Sequence, residues 1–211
     1  RRNSANIVKY VKMAASSNFG NVLTVLGASA FLSFLPILPL QLLVQNLLYD
    51  ISQITIAFDP VDPEDIAEPR RWETQSIARF MLFLGPISSL FDLVTFGVLF
   101  RIFEANTASQ HPVFQTGWFI EGLLSQTLIV YLLRTRKIPF VQSWPGGPLL
   151  FSTLIVMVVA VVLPFSVIGS AIGFVPLPPV YFFWLGGILL AYCLAVHVIK
   201  KWYLARFKSW I

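Results

Sequence analysis

The sequence predicts an all-α polytopic membrane protein with six transmembrane helices and both termini in the cytosol. Three observations carry that prediction. Of 211 residues, 56% are hydrophobic and 12% charged, whereas an average soluble domain is about a quarter charged. Six apolar segments can be drawn, at about 14–34, 38–57, 77–103, 116–133, 148–169 and 179–199, each near the ~20 residues that cross a bilayer. With the N-terminus inside, fourteen of the fifteen Lys and Arg residues fall on the cytosolic side and only Arg101 outside, a bias that orients membrane helices.

The same pattern excludes several classes. The net charge of +5 would invite a nucleic-acid partner in a soluble protein, but here the basic residues follow the loops, so lipid and not nucleic acid is the expected surroundings. The single Cys193 forms no intramolecular disulfide, and His111 and His197 lie far apart with no Cys or acid at ligand spacing, so no transition-metal site is readable. The N-terminal RRNSANIVKYVKMAASSNFG lacks a compact apolar core followed by a small-residue cleavage site and is not a signal peptide. No Gly-rich phosphate loop, hydrolase triad or nucleotide motif is present.

In chain order, residues 1–15 mix Asn, Ser and Lys with Ile7, Val8, Tyr10, Val11 and Met13, an amphipathic pattern that extends the first helix as a cytosolic stalk. Asn18 and Asn21 follow inside the apolar zone, three apart on one face, where polar contacts between membrane helices are worth about 0.6–2 kcal/mol. The Pro-rich SFLPILPL (33–40) turns the chain outside the membrane. If the first two helices run antiparallel about Pro36, Asn21 lies level with Asp50 and Asn18 with Gln53.

The second helix, QLLVQNLLYDISQI (41–54), carries polar residues and a carboxylate that are costly in a membrane. A carboxylate in hydrocarbon costs roughly 2.5–3.5 kcal/mol on insertion scales, so Asp50 is expected to face protein, water or a cation. Asn46, Asp50 and Gln53, spaced four and three, read as one stripe facing the first helix. Amide oxygens with one carboxylate suit a hard cation such as Mg²⁺, which keeps several waters and needs few acids.

The loop 58–76 contains DPVDPEDIAEPRRWET, stiffened by Pro60, Pro63 and Pro69. Its acids either draw cations to a pore mouth or form a solvated docking surface. The third helix carries Pro86, which predicts a kink, and Asp92 near mid-membrane, paired with another helix or beside the pathway. The fourth carries Glu121, about five residues inside its outer boundary. That leaves it roughly 10 Å from the level of Asp50 at 1.5 Å per residue unless the helix starts earlier. The last two helices hold no acid, and the aromatic and basic tail WYLARFKSW closes the cytosolic interface.

Four stretches, NIVKYVKMAASSNFGNV, FLPILPLQLLVQNLLYDISQI, RFMLFLGPISSLFD and GWFIEGLLSQTLIVYLLRTRKIPF, resemble the C-terminal membrane portion of bacterial magnesium-transporting P-type ATPases over nearly all of the chain. The resemblance implies the fifth to tenth membrane helices of a multi-pass inner-membrane pump that uses ATP to bring Mg²⁺ into the cytosol. It implies that the chain, a single membrane domain over 1–211, works with the N-terminal helices and cytosolic domains of the same pump. The SSN element ending at Asn18 and the Asn46, Asp50 pair are similar to cation ligands of the wider P-type class, and Glu121 resembles an acid ligand of calcium pumps. Asn21 stands where calcium pumps have a glutamate and Tyr49 where they have a threonine, which argues against a two-calcium site.

The resemblance also implies that the phosphorylated aspartate of the DKTGT motif, the nucleotide-binding domain, the TGES motif and the proline-broken fourth helix lie outside these residues. ATP is then bound only by domains not present here, and this chain alone has no ATPase active site. The competing expectation is a self-contained six-helix secondary cation transporter or channel, with Asp50, Asp92 and Glu121 as its path.

Overall fold

The structure, a computed structural model, describes residues 2–61 and 74–207. Among the described residues there is no strand. The α-helices are α1 (Arg2–Ser29), α2 (Pro39–Ile54), α3 (Thr74–Arg101), α4 (His111–Leu133), α5 (Gly147–Val162), α6 (Val167–Ala171) and α7 (Pro179–Phe207), with 3₁₀ turns at Thr55–Phe58, Ala108–Gln110 and Leu163–Phe165. Among the described residues, four stretches are long and apolar enough to cross a membrane: Gln75–Arg101, Ala108–Leu133, Gly147–Phe165 and Pro179–Phe207. Of the acidic loop only its first residues and the start of α3 are described, so its expected role lies outside the described residues.

The boundaries differ from the sequence reading where a turn residue acts locally. Helix α1 stops at Ser29 and α2 opens with Pro39 at its first position, where a missing N–H does no harm. The Gln41 side chain accepts from the Leu38 amide at 3.1 Å and closes that start. Helix α4 begins at His111 and Pro112, earlier than 116. Pro164 converts the end of α5 into a 3₁₀ turn, so the segment 148–169 is divided into α5 and the short α6. Helix α3 runs unbroken through Pro86.

Side-chain contacts fix the helix directions. Lys12 reaches Ser76 and Thr24 reaches Asp92, so α1 and α3 run parallel. Asn6 meets Asp59, and Tyr49 meets Ser17, so α2 runs back along α1. Gln115 bonds the Leu35 carbonyl while Arg134 pairs with Asp59, which sets α4 parallel to α2. Tyr131 with Thr153 turns α5 antiparallel to α4, and the Tyr181 and Lys200 contacts to Gly117 and Leu132 align α7 with α4.

Two groups of helices pack closely and meet each other where α3 lies on α4. The first is α1 on α3, brought together by glycines: a Cβ on Gly20 would overlap Ser88 Oγ and come within 2.9 Å of the Gly85 carbonyl oxygen. On Gly85 it would lie 2.7 Å from Phe19 and 3.2 Å from the Ser16 carbonyl oxygen. The second is α2 with α4 and α5, and α7 packs on α3 and α4. Helix α4 is buried along almost its whole length and forms the centre. Large apolar side chains such as Leu43, Leu47, Phe151, Phe183 and Leu194 are exposed on the rim, as expected of a surface solvated by acyl chains.

The glycine contact gives a stability prediction. Gly20→Ala and Gly85→Ala should each destabilise the fold by about 1–3 kcal/mol through overpacking. Gly97→Ala, where nothing lies within 4 Å of the added carbon, should not. Thermal unfolding in detergent micelles reads the difference.

Candidate cation site

Helix α2 turns its polar residues inward and its apolar ones outward. Gln41, Gln45, Tyr49, Ser52 and Gln53 are buried, while Leu40, Leu43, Leu47, Ile51 and Ile54 are exposed. Each inward side chain has a neighbour. The Gln41 amide donates to the Ile172 carbonyl at 3.2 Å, and that of Gln53 donates to the Tyr49 hydroxyl at 2.5 Å. Gln45 lies over Gly122, where its Nε2 would be 2.8 Å from an added Cβ, so a side chain there would expel it.

This stripe replaces the one expected. Asn46 and Asp50 are exposed rather than turned into the bundle, and Gln53 alone of the predicted stripe is buried. Asn18 on α1 is exposed as well, and Asn21 is half-buried with its Oδ1 accepting from Gln126 Nε2 at 3.1 Å. The depth matching also shifts. The Asn6 contact with Asp59 and the Ser17 contact with Tyr49, extended at equal helical rise, set Asn18 between the depths of Asn46 and Asp50. Asn21 comes level with Gln45. The pivot of the hairpin lies ahead of Pro36 because α1 ends early and α2 starts only at Pro39.

The contact between Ser17 and Tyr49 also sets direction. Residues advance by ~100° around a helix axis, and in an antiparallel pair the two advances run in mirrored senses seen from one end. The residue after each contact partner therefore turns to the same side of the pair. Asn18 and Asp50 are those two residues. Asn46 and Asn21 are turned ~60° and ~40° the same way. Three exposed polar side chains, Asn18, Asn46 and Asp50, thus open on one side of the seam between α1 and α2, with Asn21 just behind them.

Glu121 belongs to a second cluster. Its side chain is fully buried beside Asp92 and Ser125, and neither carboxyl oxygen has a hydrogen-bond partner of good geometry. Asp92 is held from both sides: Thr24 Oγ1 donates to its Oδ2 at 2.5 Å and Trp118 Nε1 to its Oδ1 at 2.9 Å. Asp92 therefore ties α1, α3 and α4 together. The early start of α4 places Glu121 well inside the bundle, and its neighbour Gly122 meets Gln45 rather than Asp50. Sequence reasoning passed over Gln45, Thr24 and Trp118 and gave Gln126 no role. The clearest signal for them was the run of glutamines on α2, spaced four apart at Gln41 and Gln45.

A helical bundle with membrane-length apolar spans, a polar seam and an apolar rim defines a multi-pass membrane protein. Residues 34–202 match the model of the family described as "Cation transporting ATPase, C-terminus", and the chain belongs to that family. It is 50% identical over 210 residues to "Magnesium-transporting ATPase, P-type 1" of Salmonella typhimurium strain LT2, a match covering 100% of this chain and 23% of that protein. It is 54% identical over 207 residues to the protein of the same name in Escherichia coli strain K12, covering 98% of this chain and 23% of that protein. A "Calcium-transporting ATPase 1" of Bacillus cereus is 27% identical over 169 residues, 71% of this chain and 19% of that protein. The chain spans 23% of the length of the magnesium-transporting relatives it matches, in their C-terminal part.

The Asp92 cluster yields its own test. Thr24→Val should lower stability by about 0.6–2 kcal/mol, the range of a hydrogen bond between membrane helices. Asp92→Leu should lower it further, since it strands the buried Trp118 N–H as well. Asp92→Asn, which keeps an acceptor for Trp118, should fall between. Thermal unfolding of the three variants ranks them.

Proposed function

We propose that this chain is the ion-binding membrane domain of an ATP-driven magnesium importer and forms part of the Mg²⁺ pathway. The remainder of the same polypeptide would supply the phosphorylation and nucleotide-binding domains. The observation that carries the reading is the exposed trio Asn18, Asn46 and Asp50 on one side of the seam between α1 and α2. A carboxylate and two amides standing open at membrane depth are costly unless something polar or charged covers them. The chain's magnesium-transporting relatives are much longer, which leaves room for further helices to close that side.

Mg²⁺ is here the cargo. Asp50 supplies the charge and Asn18 and Asn46 supply neutral oxygens, a set that leaves the ion part of its water shell. Asn21 and Glu121 stand behind this layer, where they meet the ion only by leaving their present neighbours Gln126 and Asp92. The reading includes six membrane-crossing helices, with α1 and α2 as the two of lower apolar length. It also places both ends in the cytosol of a bacterial cell and the protein in its inner membrane.

Two outcomes check the proposal. Asp50→Asn in the full-length protein should reduce Mg²⁺ uptake to background while the protein still folds and inserts. Uptake at the parent's rate in that variant would remove Asp50 from the site. Cysteines placed at Asn106 and Gln142 should react with a membrane-impermeant thiol reagent from opposite sides, Asn106 from outside intact spheroplasts and Gln142 only after lysis.

A further inference from the structure

Between the end of α4 at Leu133 and the start of α5 at Gly147, the residues IPFVQSW (138–144) form a tight turn at the end of the bundle where α1 begins. Its tip is apolar and uncovered. Val141 and Trp144 are 76% and 66% exposed, and Ile138 and Phe140 are exposed as well. A turn that faces water usually carries Gly, Asn, Asp or Ser at such positions.

The turn needs little water to satisfy its backbone. The Phe140 amide donates to the Ser143 carbonyl at 3.1 Å and the Gln142 amide to the Ile138 carbonyl at 2.9 Å. The Ile138 amide donates to Gln142 Oε1 and the Lys137 amide to Thr135 Oγ1, both at 3.1 Å. Pro139 and Pro145 have no amide hydrogen to satisfy. Arg134 fastens the turn to the end of α4, reaching Ser143 Oγ at 3.1 and 3.2 Å.

Phe140 is held in a costly conformation. Its φ of 62° lies in the left-handed region, which bulky residues rarely enter and which persists only when the surroundings enforce it. The conformation places its ring 5.0 Å from that of Tyr131 on α4 and 5.8 Å, edge-on, from that of Trp144. A row of three aromatic rings thus runs from the buried centre of the bundle out to the exposed tip.

Two kinds of partner would cover such a tip, the lipid interface or another protein domain, and three observations favour lipid. Backbone donors used within the turn suit a zone where water is thin. Trp144 is of the type enriched at the membrane–water boundary, and Arg136 and Lys137 at the base of the turn put positive charge where lipid phosphates lie. The turn also runs straight into α5, whose Phe151, Leu154 and Val158 are exposed on the apolar rim.

We propose that the 138–144 turn is an interfacial anchor. Phe140, Val141 and Trp144 enter the boundary between headgroups and acyl chains, in the leaflet on the side where α1 begins, and fix the depth of α4 and α5. This stands on the membrane fold and not on the ion site. The apolar side chains carry the contact, so it forms without any particular headgroup.

The test uses the full-length protein, its other cysteines replaced, in phosphatidylcholine nanodiscs. A nitroxide on Val141→Cys collides with oxygen more often than with a water-soluble nickel chelate and sits about 5–10 Å into the boundary, the depth of interfacial segments. A nitroxide on Asn106→Cys, in an exposed polar loop, shows the reverse preference. Ile138→Cys is the second position should Val141→Cys not accumulate, and it is read the same way. Phe140→Asn with Trp144→Ser keeps a residue that tolerates the left-handed backbone and moves the Val141 label toward water. A label at 141 that meets the nickel chelate as freely as one at 106 overturns the anchor by placing the turn in water. Protection from both reagents overturns it in favour of a covering protein domain, and an unmoved label in the double variant overturns the role of the two aromatic side chains.

Discussion

Hydrocarbon offers no hydrogen bonds, so a polar side chain on a membrane helix has to be matched by a neighbouring helix or covered by something polar, and this requirement orders the bundle. It explains why α2 carries Gln41, Gln45, Tyr49 and Gln53 on its inner face and leucines on its outer one, the reverse of a soluble amphipathic helix. It also explains Asp92, which receives the Thr24 hydroxyl and the Trp118 indole N–H and thereby joins three helices at one carboxylate. Close approach of α1 and α3 is the precondition, since Thr24 reaches Asp92 only because Gly20 and Gly85 let the backbones meet.

Against that background the exceptions stand out. Asn18, Asn46 and Asp50 have no such inward match and open on one side of the α1–α2 seam. Glu121 is the opposite exception, fully buried with neither oxygen well bonded. The two kinds of exception differ in what relieves them. The exposed trio is relieved by whatever covers the seam, an ion and further helices in the proposed reading. Glu121 is relieved only by its immediate neighbours, of which Asp92 is already engaged from two sides.

The helical class and the position of four long apolar segments were legible because apolar length is a property of the chain itself. The side of α2 that faces inward was not. Two polar stripes lie next to each other on that helix: Asn46, Asp50 and Gln53 on one, Gln45, Tyr49 and Gln53 on the other. Both repeat at helical spacing, so periodicity alone does not choose between them. The choice is made by contacts distant in sequence, such as Gln45 on Gly122 and Gln41 on the Ile172 carbonyl. The hairpin register failed for a related reason. Pro36 in SFLPILPL looked like its centre, but the pivot depends on where α1 ends and where Pro39 allows α2 to begin.

In the proposed reading the ion site is shared between two helices, Asn18 on α1 and Asp50 on α2, so its geometry depends on how those helices lie against each other. The glycine contact holds α1 against α3, and the Asp59–Arg134 pair holds the end of α2 against α4. Helix α4 in turn meets α3 where Trp118 donates to Asp92. Between α1 and its neighbours α2 and α4 the polar links are Asn6 at one end, Ser17 to Tyr49 midway, and Asn21 to Gln126 beyond it. A change in any of these would alter how the proposed site holds a cation.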